Sequence, residues 1–126
     1  MYYQSIDCLV GETIVDIVGL SQYSDEIVFV CESGKRVKMY HEQDCCESVS
    51  LEDFNGDISD LIGAVVISAE ERTKRGNMDE DDYESVTYTF YDIQTNKGSL
   101  WLRWCGSSNG YYSESVNIAV EGENIE

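Results

Sequence analysis

The sequence predicts a mainly β fold, an antiparallel sandwich or barrel-like domain with two short helical turns; an α+β arrangement is the alternative. Three observations predict it. Apolar and polar residues alternate with period two in several short segments. Gly, Asn and Ser clusters separate those segments. Nine of the aromatic residues are Tyr, whose amphipathic ring suits a pleated, half-buried surface. Pro is absent, so every reversal must come from Gly, Asn, Asp or Ser.

The elements follow in order. Ser5 to Val10 reads as a helical turn stopped by Gly11, and Thr13 to Val18 as a strand. Glu26 to Cys31 is β-branched and aromatic; after the Ser33-Gly34 turn a second strand runs over 36–41. Asn55-Gly56 marks the next turn. Asp57 to Ile62, stopped by Gly63, repeats the helical turn, and Ala64 to Ala69 repeats the strand. Ser85 to Ile93 sets Val86, Tyr88 and Phe90 on one face and Thr87, Thr89 and Tyr91 on the other. Ser99 to Cys105 puts Leu100, Leu102 and Trp104 on one side, and Ser115 to Val120 does the same with Val116, Ile118 and Val120. Asn96-Lys97-Gly98 and Asn109-Gly110 supply the turns between them.

This order repeats. Ile6-Asp7-Cys8-Leu9-Val10-Gly11 and Ile58-Ser59-Asp60-Leu61-Ile62-Gly63 share Ile, two residues, Leu, a β-branched residue and Gly, each followed by a strand. Each half then runs through two strands about a Gly turn and reaches Glu-Ser-Val, at Glu47-Ser48-Val49 and Glu114-Ser115-Val116. The expectation is one domain over 1–126, containing pseudo-repeats at about 5–55 and 57–120. An exposed acidic loop is expected to be inserted at 72–84, because Arg72 to Tyr83 lacks apolar periodicity.

Charge narrows the function. The 25 acids against 8 bases leave a net charge of −17. Phosphate binding needs clustered Lys and Arg, so direct binding of nucleic acid or an anionic membrane is excluded as an expectation. Basic partners would be attracted instead. Residues 43–84 carry 13 of the acids and 3 of the bases. No secretory leader or membrane-spanning run is visible, and the five Cys, odd in number and irregularly spaced, read as free thiols of a cytoplasmic protein.

Three segments carry candidate chemistry. His41-Glu42-Gln43-Asp44-Cys45-Cys46-Glu47 holds the single His. A metal site there is disfavoured, since zinc sites use Cys-x2-Cys spacing and adjacent Cys on an extended chain face opposite ways. His41, Glu42, Asp44 and Glu47 remain as binding candidates. Cys105 to Ser113 is small, polar and Gly-rich with two tyrosines, and Ser107, Ser108, Asn109, Tyr111 and Tyr112 could meet a small polar ligand or a protein. It lacks the Lys-Ser/Thr of a P-loop. Asp79, Glu80, Asp81 and Asp82 form an acidic run without the spacing of a calcium loop. No catalytic constellation, metal site or cofactor motif emerges.

The stretches HEQDCCESV (41–49), LEDFNGDISDLIG (51–63), SAEE (68–71) and GSSNGYYSESV (106–116) resemble a family of small uncharacterised proteins encoded by phages and their bacterial hosts. The resemblance covers most of 26–118. It implies a setting in the cytoplasm of a host bacterium, and it raises an accessory role that antagonises host defence.

The expected function is therefore that of a non-catalytic acidic inhibitor. It would bind a host protein with a basic surface, occupying a nucleic-acid-binding groove as DNA-mimicking anti-CRISPR or anti-restriction proteins do. The alternatives are a sponge for a small nucleotide immune signal and a virion structural or assembly protein, the latter recognised by oligomerisation.

Overall fold

The computed structural model describes residues 4–76, 85–110 and 112–121. Eight strands form two four-stranded antiparallel sheets. The strands are β1 (Ile14–Val18), β2 (Glu26–Cys31), β3 (Arg36–Tyr40), β4 (Ser48–Asn55), β5 (Val66–Arg75), β6 (Ser85–Thr95), β7 (Ser99–Ser108) and β8 (Asn117–Glu121). A 3-10 turn, Ile6–Leu9, precedes β1, and the short helix α1, Ile58–Leu61, precedes β5. The predicted sandwich is what forms; it is not a closed barrel.

The two helical turns are built alike. Each ends at a Gly in the left-handed region, Gly11 at φ 88° and Gly63 at φ 83°, where a Cβ would be strained. α1 is also capped at its start, where Asp57 accepts a hydrogen bond from the Ser59 N–H at 2.9 Å. That bond and the Ser59 hydroxyl hold the Asp57 carboxyl below its ordinary range. Ile6, Leu9 and Leu61 point inward and are almost fully buried.

The strand order is β1-β2-β3-β8 in one sheet and β4-β7-β6-β5 in the other. The element order thus repeats, turn followed by four strands, and each half places three strands in its own sheet and its fourth in the other. β8 completes the first sheet through pairs such as Met39↔Ile118. β4 completes the second through pairs such as Leu51↔Trp104. The sheets meet at one edge through a bridge between Thr13 and Val65. The bonds around it are reciprocal. Gly11 N–H donates to Val66 O and Gly63 N–H to Ile14 O, while Ile14 N–H donates to Ala64 O and Val66 N–H to Glu12 O. Every one of these pairs maps onto another by the same shift of 52 residues (63 − 11, 65 − 13). The repeat in the sequence and this local two-fold relation therefore coincide.

The core lies between the sheets. Ile27, Phe29, Val37 and Met39 face Tyr91, Ile93, Leu102 and Trp104, all of them sealed from solvent. Burial of such side chains contributes about 1.5–3 kcal/mol each.

Two expectations about strand ends are corrected. The loop predicted from residue 72 does not start there: β5 continues through Arg72, Thr73, Lys74 and Arg75, paired with Phe90, Thr89, Tyr88 and Thr87. Backbone pairing with β6 holds this stretch although all of its side chains are exposed, so the apolar alternation that marks a strand is missing. β7 likewise continues past Cys105 to Ser108, carrying the first part of the Gly-rich segment into the sheet. Asp79, Glu80, Asp81, Asp82 and Tyr111 lie outside the described residues.

Candidate functional site

The first Glu-Ser-Val motif opens β4, with Glu47 just ahead of it, and the second stands just before β8; in both the Glu turns inward. Glu47 is 4% exposed and Glu114 is 8% exposed, unusual values for carboxylates. Each is held in a nest of donors, as a buried charge requires.

Glu47 is bonded by its own segment. The Asp44 and Cys45 N–H groups donate to it at 2.8 and 2.9 Å, and His41 Nε2 lies at 2.7 Å. Burial pushes the carboxyl up, but these bonds outweigh it and hold it at about 2. His41 follows the end of β3, and its side chain is 3% exposed. Its Nδ1 sits 2.7 Å from the carbonyl oxygen of Ser115. The ring thus bridges the Glu47 carboxylate and the Ser115 carbonyl.

Glu114 is bonded by the second sheet. The Ser108 hydroxyl and the Thr87 hydroxyl, the latter at 2.7 Å, donate to it. Burial raises its carboxyl; Ser108, Thr87, Ser85 and the charge of Arg75 together bring it below the ordinary value. Gly106 makes room for this arrangement, because a Cβ there would collide with the Glu114 backbone carbonyl.

The two polar motifs found in the sequence therefore come together: Ser113 of the second lines a cavity with His41 to Glu47, and Ser115, two residues beyond it, bonds His41. They line adjacent cavities. One, of about 450 Å3, is lined by His41, Glu42, Gln43, Asp44, Glu47 and Ser113. The other, of about 270 Å3, is lined by Arg75, Ser85, Thr87, Gly110, Tyr112 and Glu114 among others. Asn109 is exposed at the tip beside Gly110. Ser107 and Ser108 alternate across β7, so Ser108 joins the nest while Ser107 faces the outside of the sheet. The groups with the richest chemistry, His41, Glu47, Ser108 and Glu114, bond one another rather than a vacant centre.

The cysteines differ from the expectation of five free thiols. Cys45 and Cys46 are joined to each other, and Cys8, Cys31 and Cys105 are free. The chain bends at Cys45 and Cys46 instead of extending, so the argument from opposite faces does not apply there. Burial pushes the Cys31 thiol up to about 11. Among the described residues no three His, Cys, Asp or Glu side chains converge as metal ligands, and no helix is long and apolar enough to cross a membrane.

A family model described as "Domain of unknown function (DUF7448)" matches residues 7–118. The chain belongs to this family. The match takes in the first helical turn from Asp7, the whole of α1, all the strands up to the start of β8 and both buried glutamates. No curated protein and no solved structure matches the chain.

One further cluster escaped the sequence reading. The outer face of the second sheet carries Arg72, Lys74 and Arg103 beside Tyr88, Phe90 and Trp101. These residues are scattered in the sequence, and strand register alone brings them together.

Proposed function

We propose that this chain is a non-catalytic accessory protein of the phage-type, anti-defence kind, whose acidic surface occupies a basic, nucleic-acid-binding groove of a host protein. The observation that carries the reading is the fate of the charges. Lys35, Lys38 and Arg103 are already engaged by Glu12, Glu26 and Glu52, against a total of 25 acids and 8 bases. The surface excess is thus left to act on a partner. Exposed acids such as Asp44, Asp53, Asp57 and Asp60 cluster around β4 and α1. The groups suited to chemistry are meanwhile consumed in the two buried nests.

The test is affinity capture from cells with and without an active nucleic-acid-targeting defence system, followed by a salt titration of the captured complex. Association should slow and affinity fall by about tenfold or more as ionic strength rises past about 0.1 M. Affinity independent of salt, or an affinity-captured partner with an acidic binding surface, refutes the proposal.

A further inference from the structure

The outer face of the β4-β7-β6-β5 sheet departs from the rest of the molecule in charge. A cavity of about 500 Å3 opens on it, lined by Glu52, Lys74, Arg75, Tyr88, Phe90 and Arg103. Its lining holds three bases against one acid, in a chain where acids outnumber bases by 25 to 8. That volume falls within the range of roughly 300–1,000 Å3 typical of small-ligand sites.

The floor is aromatic. Tyr88 and Phe90 are neighbours on the outward side of β6, their ring centroids 6.5 Å apart, and Phe90 lies 6.0 Å from Trp101 on β7. All three rings are half-buried, so each keeps part of a face open. Cations flank this row. Arg72 lies over Phe90 at 5.8 Å and Arg103 over Trp101 at 5.5 Å. Register puts Lys74 directly beside Tyr88, and Lys74 makes no ion pair among the described residues. Glu52 bonds Arg103 at 2.6 Å and adds an acceptor at the rim. One row further on, Glu70 and Asp92 face each other across β5 and β6 and bound the basic patch.

We infer that this face is a binding site for a nucleoside phosphate. The base would stack on Phe90 and Tyr88, the phosphates would meet Lys74 and Arg72, and the Glu52 carboxylate would accept from an amino group on the base edge. Stacking on an aromatic sheet face combined with a basic track is how sheets hold bases generally. A long polyanion is the wrong occupant, because a net charge of −17 repels it beyond the patch. The site borders the acidic surface invoked above at Asp53, which pairs with Arg103 at 3.9 Å, but the proposal does not depend on that surface.

The experiment is a titration of the full chain at low salt, read by calorimetry and tryptophan fluorescence. The probes are mono-, tri- and cyclic nucleotides of adenine and guanine, with adenosine, tripolyphosphate and a single-stranded dT oligonucleotide as comparisons. At least one nucleotide should bind and change the emission of Trp101, with adenosine and tripolyphosphate weaker by about tenfold. Lys74→Glu and Phe90→Leu should each weaken binding by about tenfold or more, since the second keeps the bulk of the side chain and removes its π face. Lys97→Glu makes the same charge change in the β6–β7 turn and should leave binding intact. A thermal melt of each variant separates lost binding from lost fold. No response across the nucleotides, equal binding of tripolyphosphate, tighter binding of the oligonucleotide, or an equal loss in Lys97→Glu would each overturn the assignment.

Discussion

Replacing Glu114 by Ala removes the acceptor on which one end of the second sheet converges. The carboxylate takes bonds from the Ser108 and Thr87 hydroxyls in a site only 8% exposed. A hydrogen bond to a charged acceptor contributes about 1.5–3 kcal/mol, and each donor left unpaired in a buried site costs of the same order. Some of that is returned because the charge itself no longer has to be buried, and water can enter the adjoining cavity of about 270 Å3. The net expectation is a loss of about 3 kcal/mol, or a fall in Tm of about 10 °C for a domain of this size. Urea unfolding followed by the fluorescence of Trp104, which is fully buried, measures it. A double-mutant cycle of Glu114→Gln with Thr87→Val should show a coupling of at least about 1 kcal/mol. A loss below about 0.5 kcal/mol, with no coupling, would mean that the carboxylate is solvated and the nest is not a structural element.

Acidification should act first on the same end of the molecule. The folded value of Glu47, about 2, lies below the ordinary 4.5, so the native state binds fewer protons than the unfolded chain between them; its contribution is full above about pH 4.5 and is lost as pH falls towards 2. Stability measured against pH should decline in that window, and Glu47→Gln should flatten the decline. Gly106→Ala should be far more damaging than Gly110→Ala: the first forces a side chain into the Glu114 carbonyl, whereas the second meets open space and costs only the strain of φ 97°, about 1–2 kcal/mol; thermal melts of the two proteins compare them. Asp57→Ala should cost about 1 kcal/mol by removing the cap of α1, read from the urea midpoint.

How far the sequence could be read depended on where each side chain points. β2 is legible as an unbroken β-branched and aromatic run, buried at Ile27, Val28 and Phe29 alike, and β6 by its alternation, although the face it turns to the core carries Thr89, Tyr91 and Ile93 while Val86, Tyr88 and Phe90 face outward. β5 is legible only as far as Ala69. Beyond it Glu70 to Arg75 are all exposed, and a strand held by backbone pairing alone leaves no apolar trace. The polar stretch at the end of β7 reads as loop because Gly106 and two serines resemble turn residues; the close approach of the Glu114 carbonyl, which explains the Gly, is a tertiary fact. The Glu-Ser-Val repeat was visible, yet a Glu in isolation reads as surface, and nothing local reveals the donors around Glu47 and Glu114. His41 was singled out for its rarity, while its two partners, six residues and 74 residues away, could come only from the fold.

The exchange of fourth strands has a consequence for the chain as a physical object. A nick near Gly56 would sever the two repeats without yielding two domains. Each fragment would hold three strands of one sheet and a strand that fits only beside its counterpart, leaving β3 and β7 with a bare edge. Neither piece closes its own layer, so the fragments would be obligate complements that regain order only on mixing. The same interlock makes the intact chain wait, during folding, for β8 to reach β3 across most of its length, which places it among the slower, non-local folders.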